Sequence, residues 1–429
     1  MARAQSGAPD LEAWEKCLKE ALLAAGARVL ELLLADVCCG RRDEAVVCSC
    51  GSRMQSRGVK EKEVRTILGP LTLRRALFQC PDCGQTSLPD DAALDVVNTS
   101  FSPGLRRMMG RAGGNSPFRE AAEDLNVYAS VAVGAKDVER VAESSGAAME
   151  QWAGAERKAL IADARWKHVE KNIPVLYVCM DGTGVPVTKT ETAGRKGKQP
   201  DGAAKTREAK LGCVFTQTKT DEGGFAVRDP LSTTFTGAIE TCETFGGRIY
   251  AEALRRGLKR AQKVVVLGDG AEWIRNIVEL YFHNATQVVD LYHARERVCK
   301  IISLLFKDDE KNRKLYRLKW WTYLDEGRIE KFIADAGSRA PSDCEIAGDV
   351  KKELGYFKNN LERMRYNEFR GQGLFVGSGV IEAGCKTIVA QRMKHSGMEW
   401  SVRGANAIIS LRCMHHSNRV EDFWESAAG

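Results

Sequence analysis

Two short apolar runs, Val175-Leu-Tyr-Val-Cys-Met180 and Val264-Val-Val-Leu267, each lead into an aspartate that glycine follows, Asp181-Gly182 and Asp269-Gly270. Runs this short and this apolar read as strands buried on both faces, and such strands need helices on both sides of their sheet. Leu211-Gly-Cys-Val-Phe-Thr216, Ser232-Thr-Thr-Phe235 and Thr286-Gln-Val-Val289 read as further strands, and residues 245–258 and 271–282 as helices. Three strands, a helix, a strand, a helix, a strand and further helices describe an α/β fold with a mixed sheet flanked by helices. Residues 300–370 are charged and helical in pattern, with Trp320-Trp321 as a buried anchor, and 377–416 opens with Gly-Ser-Gly and continues as helix.

With 429 residues the chain is long enough for two to four domains, and 44% hydrophobic residues exclude global disorder. No apolar run approaches the roughly 20 residues of a membrane span, and Met1 to Asp10 lacks a signal-peptide pattern. A soluble, cytoplasmic protein with no membrane partner is expected. A formal charge of +7 permits a polyanionic partner without demanding one.

Half of the 14 cysteines fall between Cys17 and Cys83, which marks a separate N-terminal module. Residues 11–36 read as an amphipathic or buried helix. Cys48-Ser-Cys50 and Cys80-Pro-Asp-Cys83 then flank a hairpin, with Gly69-Pro70 as its turn. A hairpin with a cysteine pair at each end brings Cys48, Cys50, Cys80 and Cys83 together as a tetrahedral, structural Zn²⁺ site. Reduced cysteines in a small core are the alternative. Cys179, Cys213, Cys242, Cys299, Cys344, Cys385 and Cys413 read as buried apolar residues. Phe118–Leu125 and Ala135–Ala142 form a candidate helix-turn-helix, or simply two packed helices, and 153–172 a charged connecting helix.

The acids at the strand ends carry the chemistry. If their two strands are neighbours, Asp181 and Asp269 lie side by side, and paired carboxylates stay ionised together only with a counter-cation. Mg²⁺ or Mn²⁺, with its preference for oxygen ligands, is the natural one, and Glu382 could supply a third ligand. Each residue also has a plain structural reading: Asp-Gly is a common turn, and Glu382 with Lys386 is an ordinary helix pair.

Met180-Asp-Gly-Thr-Gly-Val-Pro186, Leu267-Gly-Asp-Gly-Ala-Glu-Trp-Ile274, Asp290-Leu-Tyr-His-Ala-Arg295 and Gly377-Ser-Gly-Val-Ile-Glu-Ala-Gly384 follow one another in that order. Together with Gln391-Arg-Met-Lys394 and the stretch from Trp400 to Arg412, they resemble the ISKra-type insertion-sequence transposases, a DDE family with an RNase H-like core related to Mutator-like transposases. The resemblance implies Asp181, Asp269 and Glu382 as catalytic acids holding two Mg²⁺ (or Mn²⁺) ions, with Asp290 and His293 as accessory residues nearby; Asp290 is the main competitor to Glu382 as third ligand, and the resemblance tips the choice. It implies five segments: an N-terminal helix and zinc-ribbon-like module (1–100), a helical DNA-binding region (101–172), the first part of the catalytic core (173–299), a helical insertion (300–376) and the last part of the core (377–429).

The implied partners are double-stranded DNA, as transposon ends and as target, and a second copy of the chain in a homodimer or higher oligomer. The implied location is the bacterial nucleoid. Two basic stretches could hold phosphates: Arg195, Lys196 and Lys198, with Lys205, Arg207 and Lys210, between the first two core strands, and Lys386, Arg392 and Lys394, with Arg403 and Arg412, after Glu382. The absence of a phosphate-cradling G-x₄-G-K-[S/T] loop gives no reason to expect ATP use. Two other readings stay open: a non-catalytic DNA-binding protein derived from such an enzyme, and an RNase H-like nuclease without strand transfer.

Overall fold

The hairpin between the cysteine pairs forms, but its turn is displaced from Gly69-Pro70. In the computed structural model, which describes residues 10–38, 45–163, 170–197, 202–341 and 345–428, strand β1 (Gln55–Thr66) pairs antiparallel with β2 (Gly69–Gln79). The turn is Ile67-Leu68, and Pro70 sits inside β2 opposite Arg65. Proline is tolerated there because the backbone of Arg65 faces away from β2: its N–H donates to Ser100 O and its carbonyl accepts from Ser102 N. Gly69 supplies the positive φ, +126°, that the tight turn needs.

The chain divides into two units, Met1–Ser145 and Gly146–Gly429. In the first, helix α1 (Leu11–Val37) lays Leu30 and Leu34 against Val64, Leu71 and Leu73 of the hairpin. The expected helix forms with one apolar face covered, but Leu18, Leu22 and Leu33 are exposed. A two-residue strand, β3 (Thr86–Ser87), extends the hairpin beside β2. Helices α2 (Pro103–Asn115) and α3 (Phe118–Ala129) follow, and their core joins Leu105, Met109, Ala121 and Leu125 to Val138 and Val141. Ser130 closes α3 in the left-handed conformation. Helix α4 then runs unbroken from Ala135 to Ala162. The charged helix expected over 153–172 therefore stops at Ala162; residues 170–172 are not helical, and 164–169 lie outside the described residues.

The second unit is built on a five-stranded mixed sheet. Its strands are β4 (Ile173–Pro186), β5 (Thr206–Gln217), β6 (Thr234–Ala238), β7 (Ala261–Gly268) and β8 (Thr286–Val289), in the spatial order β8-β7-β4-β5-β6. Strand β5 is antiparallel to β4 and β6, while β4, β7 and β8 run parallel. Leu176, Val178 and Met180 face α5 (Cys242–Arg255) and α6 (Glu272–Tyr281), in a core with Phe245, Ile249, Ile277 and Val278. By strand alternation Tyr177, Cys179 and Asp181 share the other face. There Tyr177 stacks on Phe215 at 4.8 Å, with Phe375 edge-on at 5.3 Å from Tyr177.

Among the described residues five helices follow the sheet: α7 (Leu291–Leu305), α8 (Glu310–Asp325), α9 (Ile329–Gly337), α10 (Glu345–Asn359) and a short one over Tyr366–Gly371. Trp320 is fully buried among them, donates to Asp335 (2.8 Å) and packs on Phe332; its neighbour Trp321 is only half-buried. The last part of the chain, α11 (Gly379–Gly384), a widened helical segment (Cys385–Ala390), a turn (Gln391–Met393), α12 (Val402–His416) and α13 (Val420–Ala428), returns to the sheet. Edge strand β6 is closed by side chains: Asn406 bonds both N and O of Ile239, and Ser417 bonds N and O of Phe235. Among the described residues no helix is long and apolar enough to cross a membrane.

Helices α4 and α12 cross so closely that a Cβ on Gly146 would lie 2.0 Å from the carbonyl oxygen of Ala407. Ala is the better helix former by about 1 kcal/mol, yet a backbone clash cannot be relieved by a rotamer change. Gly146→Ala is expected to destabilise the protein by about 1–3 kcal/mol in urea unfolding. Gly154→Ala, in the same helix with only the end of Arg157 at 3.4 Å, should be neutral or slightly stabilising.

Candidate functional site

Register places the acids. In the parallel pair β4–β7, Cys179 lies opposite Leu267, and in β7–β8, Leu267 lies opposite Val288. Two residues further on, Asp181 within β4 and Asp269 and Asp290, each one residue past the end of β7 or β8, continue that register at one level. Asp181 does not end its strand, as expected, but lies within it opposite Leu211, and β4 continues to Pro186. Its carboxylate accepts from Gly182 N at 2.7 Å. Burial raises its pKa; the Gly182 N–H opposes this, and the charge of Asp269 adds to the rise. Asp269 closes a turn by accepting from Ala271 N at 2.9 Å, and Tyr356 of α10 donates to its carbonyl oxygen at 2.6 Å.

Asp290 is 0% exposed and caps α7 by accepting from His293 N at 2.7 Å. Its second oxygen accepts from Ser378 N, and its first also faces His293 Nδ1 at 3.3 Å. Burial alone would raise its pKa, but the hydrogen bonds from His293 and Ser378 hold it below the ordinary carboxylate value. The same contact with Asp290 pushes His293 up to about 9 against the opposing effect of burial, with the charges of Glu296 and Asp269 contributing. At neutral pH His293 is therefore a cation among acids.

Glu382 reaches the same place from α11. Ser378 Oγ donates to its Oε1 at 3.2 Å, and His293 Nδ1 lies 3.9 Å from that oxygen. Glu382 thus turns to Ser378 and His293 rather than to Lys386. Asp290, His293 and Glu382 each offer one ligand atom, all within 4.8 Å of one another. Two glycines make the approach possible. A Cβ on Gly377 would meet the Tyr292 ring at 2.9 Å, and one on Gly384 would meet Phe235 at 2.7 Å. Past Gly384 the helix widens to a π form over Cys385–Ala390, and Arg412 of α12 donates to the carbonyls of Thr387 and Ile388. Single π turns of this kind are frequent at functional sites.

The basic residues divide. Lys386 and Lys394 are exposed, and Lys394 Nζ donates to Thr183 Oγ1 at 2.6 Å, two residues past Asp181. Arg392 is 1% exposed, with its guanidinium on the Trp400 ring at 4.9 Å, so it does not belong to a solvated basic face. Arg412 and Lys210 are likewise buried, Lys210 donating to Glu208 and to the carbonyl of Glu240. Arg195 and Lys196 are exposed, while Lys198 lies outside the described residues. Ser378 and Tyr356 escaped the sequence reading. Ser378 stood in plain view inside Gly-Ser-Gly, whereas Tyr356 has no sequence signal.

In the first unit, two tight turns gather the four cysteines. Cys48 N bonds Ser52 O, and Cys80 N bonds Gln85 O; Gly51 and Gly84 supply positive φ. The Cys48 and Cys83 sulfurs are 3.4 Å apart, those of Cys50 and Cys80 3.5 Å, and all four lie within 4.8 Å of one another. Four sulfurs at about 2.3 Å from one Zn²⁺ would be about 3.8 Å apart, so the cluster has the size for that ion. Hydrogen bonds from the backbone and side chain of Ser52 lower the Cys50 thiol to about 6. Cys83 is pushed up to about 12: the Gln85 N–H works against this, but the sulfurs of Cys48 and Cys80 outweigh it. Of the scattered cysteines, Cys179, Cys213, Cys385 and Cys413 are buried as expected, Cys242 and Cys299 are half-buried, and Cys344 lies outside the described residues.

Residues 251–422 match the profile of an uncharacterised protein family (UPF0236). That span contains Asp269, Asp290, His293 and Glu382 but not Asp181. No curated protein matches the chain. Among solved structures, the Drosophila P element transposase strand transfer complex aligns at 9% identity over 79% of this chain and 83% of that one. Its TM-score of 0.20 is too low to carry a statement about fold.

Asp290→Asn tests the clamp at the centre of the site. Asn can still cap α7 through its oxygen, but its NH₂ would then face the Ser378 N–H, donor against donor. A loss of about 1–3 kcal/mol is expected in urea unfolding. Asp269→Asn, whose side chain is half-buried and bonds a single N–H, should cost less.

Proposed function

We propose that this chain is a DDE-type transposase of the ISKra type, with an RNase H-like catalytic core, that cleaves DNA at the ends of an insertion sequence and joins them to a target. The observation that carries the reading is the level placement of Asp181 within β4 and Asp269 just past the end of the neighbouring parallel β7, with Glu382 brought by a returning helix to 3.9 Å from His293. The strand order β8-β7-β4-β5-β6, with only β5 reversed, and the helices between β8 and α11 support it. The motifs quoted above support it independently.

Three carboxylates would provide hard oxygen ligands for Mg²⁺ or Mn²⁺, and Asp181 is charged only at a cost that a cation would remove; the ligand atoms already within 4.8 Å of one another are those of Glu382, Asp290 and His293. When bound by Asp181, Asp269 and Glu382, a pair of such ions would polarise the scissile phosphate and activate the attacking oxygen. The remaining roles fall to side chains of this protein. Asp290 and Ser378 orient Glu382, and His293 keeps positive charge beside the acids. Lys394, tied to Thr183 at the rim, and Lys386 would hold backbone phosphates, as would Arg195 and Lys196, together with Lys198. Cleavage at a transposon end and attack by the freed 3′-hydroxyl on target DNA are both in-line displacements at phosphorus, so one acid cluster serves both.

The N-terminal module, held by Zn²⁺ on Cys48, Cys50, Cys80 and Cys83, and the helices of 101–172 would recognise the terminal repeats. The protein would act as a homodimer or higher oligomer on DNA, in the cytoplasm with the nucleoid.

Asp181→Asn, Asp269→Asn and Glu382→Gln preserve volume and remove charge. Each variant should still bind DNA carrying the ends of its own element, as read by gel shift, while Mg²⁺-dependent cleavage falls by several orders of magnitude. Unaltered cleavage in all three would overturn the reading, and breaks without joined donor–target products would leave a nuclease in its place. Metal analysis should find about one zinc per chain, lost together with thermal stability of the N-terminal module in Cys80→Ser/Cys83→Ser.

A further inference from the structure

Helix α1 has two apolar faces. One, comprising Gly26, Ala27, Leu30 and Leu34, lies on the hairpin. The other is open: Leu11, Trp14, Leu18, Leu22, Val29 and Leu33 are each 56–68% exposed, with exposed Ala25 between them. Their spacing is 3-4-4-3-4-4 and no charged residue interrupts the series. Eleven residues in three turns is about 3.67 per turn, so the stripe stays on one side of a nearly straight helix, about 40 Å long, with little drift.

We propose that this stripe is a helix-pairing seam whose occupant is α1 of a second copy of the chain. A stripe that keeps helical period over two full eleven-residue repeats is matched by another helix of the same period, whose side chains fill the gaps between its own. A second copy offers that match by symmetry, stripe against stripe across a two-fold axis. The area agrees. Seven side chains leaving on the order of 100 Å² each amount to roughly 700 Å², near the about 800 Å² per partner of a stable interface. The inference is independent of the catalytic reading, since it concerns only the first unit.

Light scattering on the full chain at micromolar concentration, without DNA and in high salt, tests it. The expected mass is that of a dimer. Leu18→Glu/Leu22→Glu should give a monomer with unchanged circular dichroism, because both side chains point to solvent in the single chain. A wild-type monomer, or a dimer that survives the double substitution, would overturn the proposal. Cross-linking gives a second arm that does not depend on that variant. Leu22 is the midpoint of the stripe from Leu11 to Leu33, so in full overlap it meets its own counterpart in parallel or antiparallel pairing. Cys17→Ser/Leu22→Cys should therefore form a disulfide dimer under mild oxidation. Cys17→Ser/Lys16→Cys, on a different face, should not; equal yields from the two would count against the seam.

Discussion

A single buried carboxylate holds the second unit's site together. Asp290 ends β8, starts α7 and accepts the N–H of Ser378, so a strand, a helix and a segment far downstream in the chain share one anion. An unpaired charge at that depth would be costly; here both oxygens are taken and one partner, His293, is itself charged. The backbone repeats the join, with Asp290 N bonded to Gly268 O and Leu291 N to Val376 O. The position of Glu382 is a consequence, because Ser378 serves both acids, one through its N–H and the other through its hydroxyl.

Much of this is legible in the residues alone. The valine-rich runs predict strands β4 and β7, and Asp181 and Asp269, one and two residues past their runs, come to one level because Cys179 pairs with Leu267. The neighbourhood itself is not legible, since periodicity says nothing about strand order. Nor is the extension of β4 past Asp181: Gly182 and Gly184 read as turn residues, yet they lie opposite Lys210 and Glu208 in an unbroken ladder. Pro70 misleads in the same way, because a missing N–H is harmless wherever the opposite residue bonds elsewhere.

The basic stretch after Glu382 does not form one face. At 3.6 residues per turn Lys386 and Lys394 fall about 80° apart, but Arg392 lies about 120° from the first and about 160° from the second. The π geometry of Cys385–Ala390 turns the chain less per step, and the side chains beyond it no longer fall where that period predicts. Arg392 points inward onto Trp400 while Lys394 remains outside and reaches Thr183. No residue type in Cys385–Ala390 announces the change, and Arg412, which satisfies the carbonyls, belongs to a later helix, α12.

The closure of β6 by Asn406 and Ser417 bears on how the protein behaves in a crowded solution. An unpaired sheet margin is a template on which other chains can add strands, the usual beginning of ordered aggregates. On this side the backbone groups of Phe235 and Ile239 are already engaged by side chains of α12 and the residue after it. Docking of α12 therefore removes a sticky margin as well as completing the core, and a chain truncated before Asn406 would leave that margin bare.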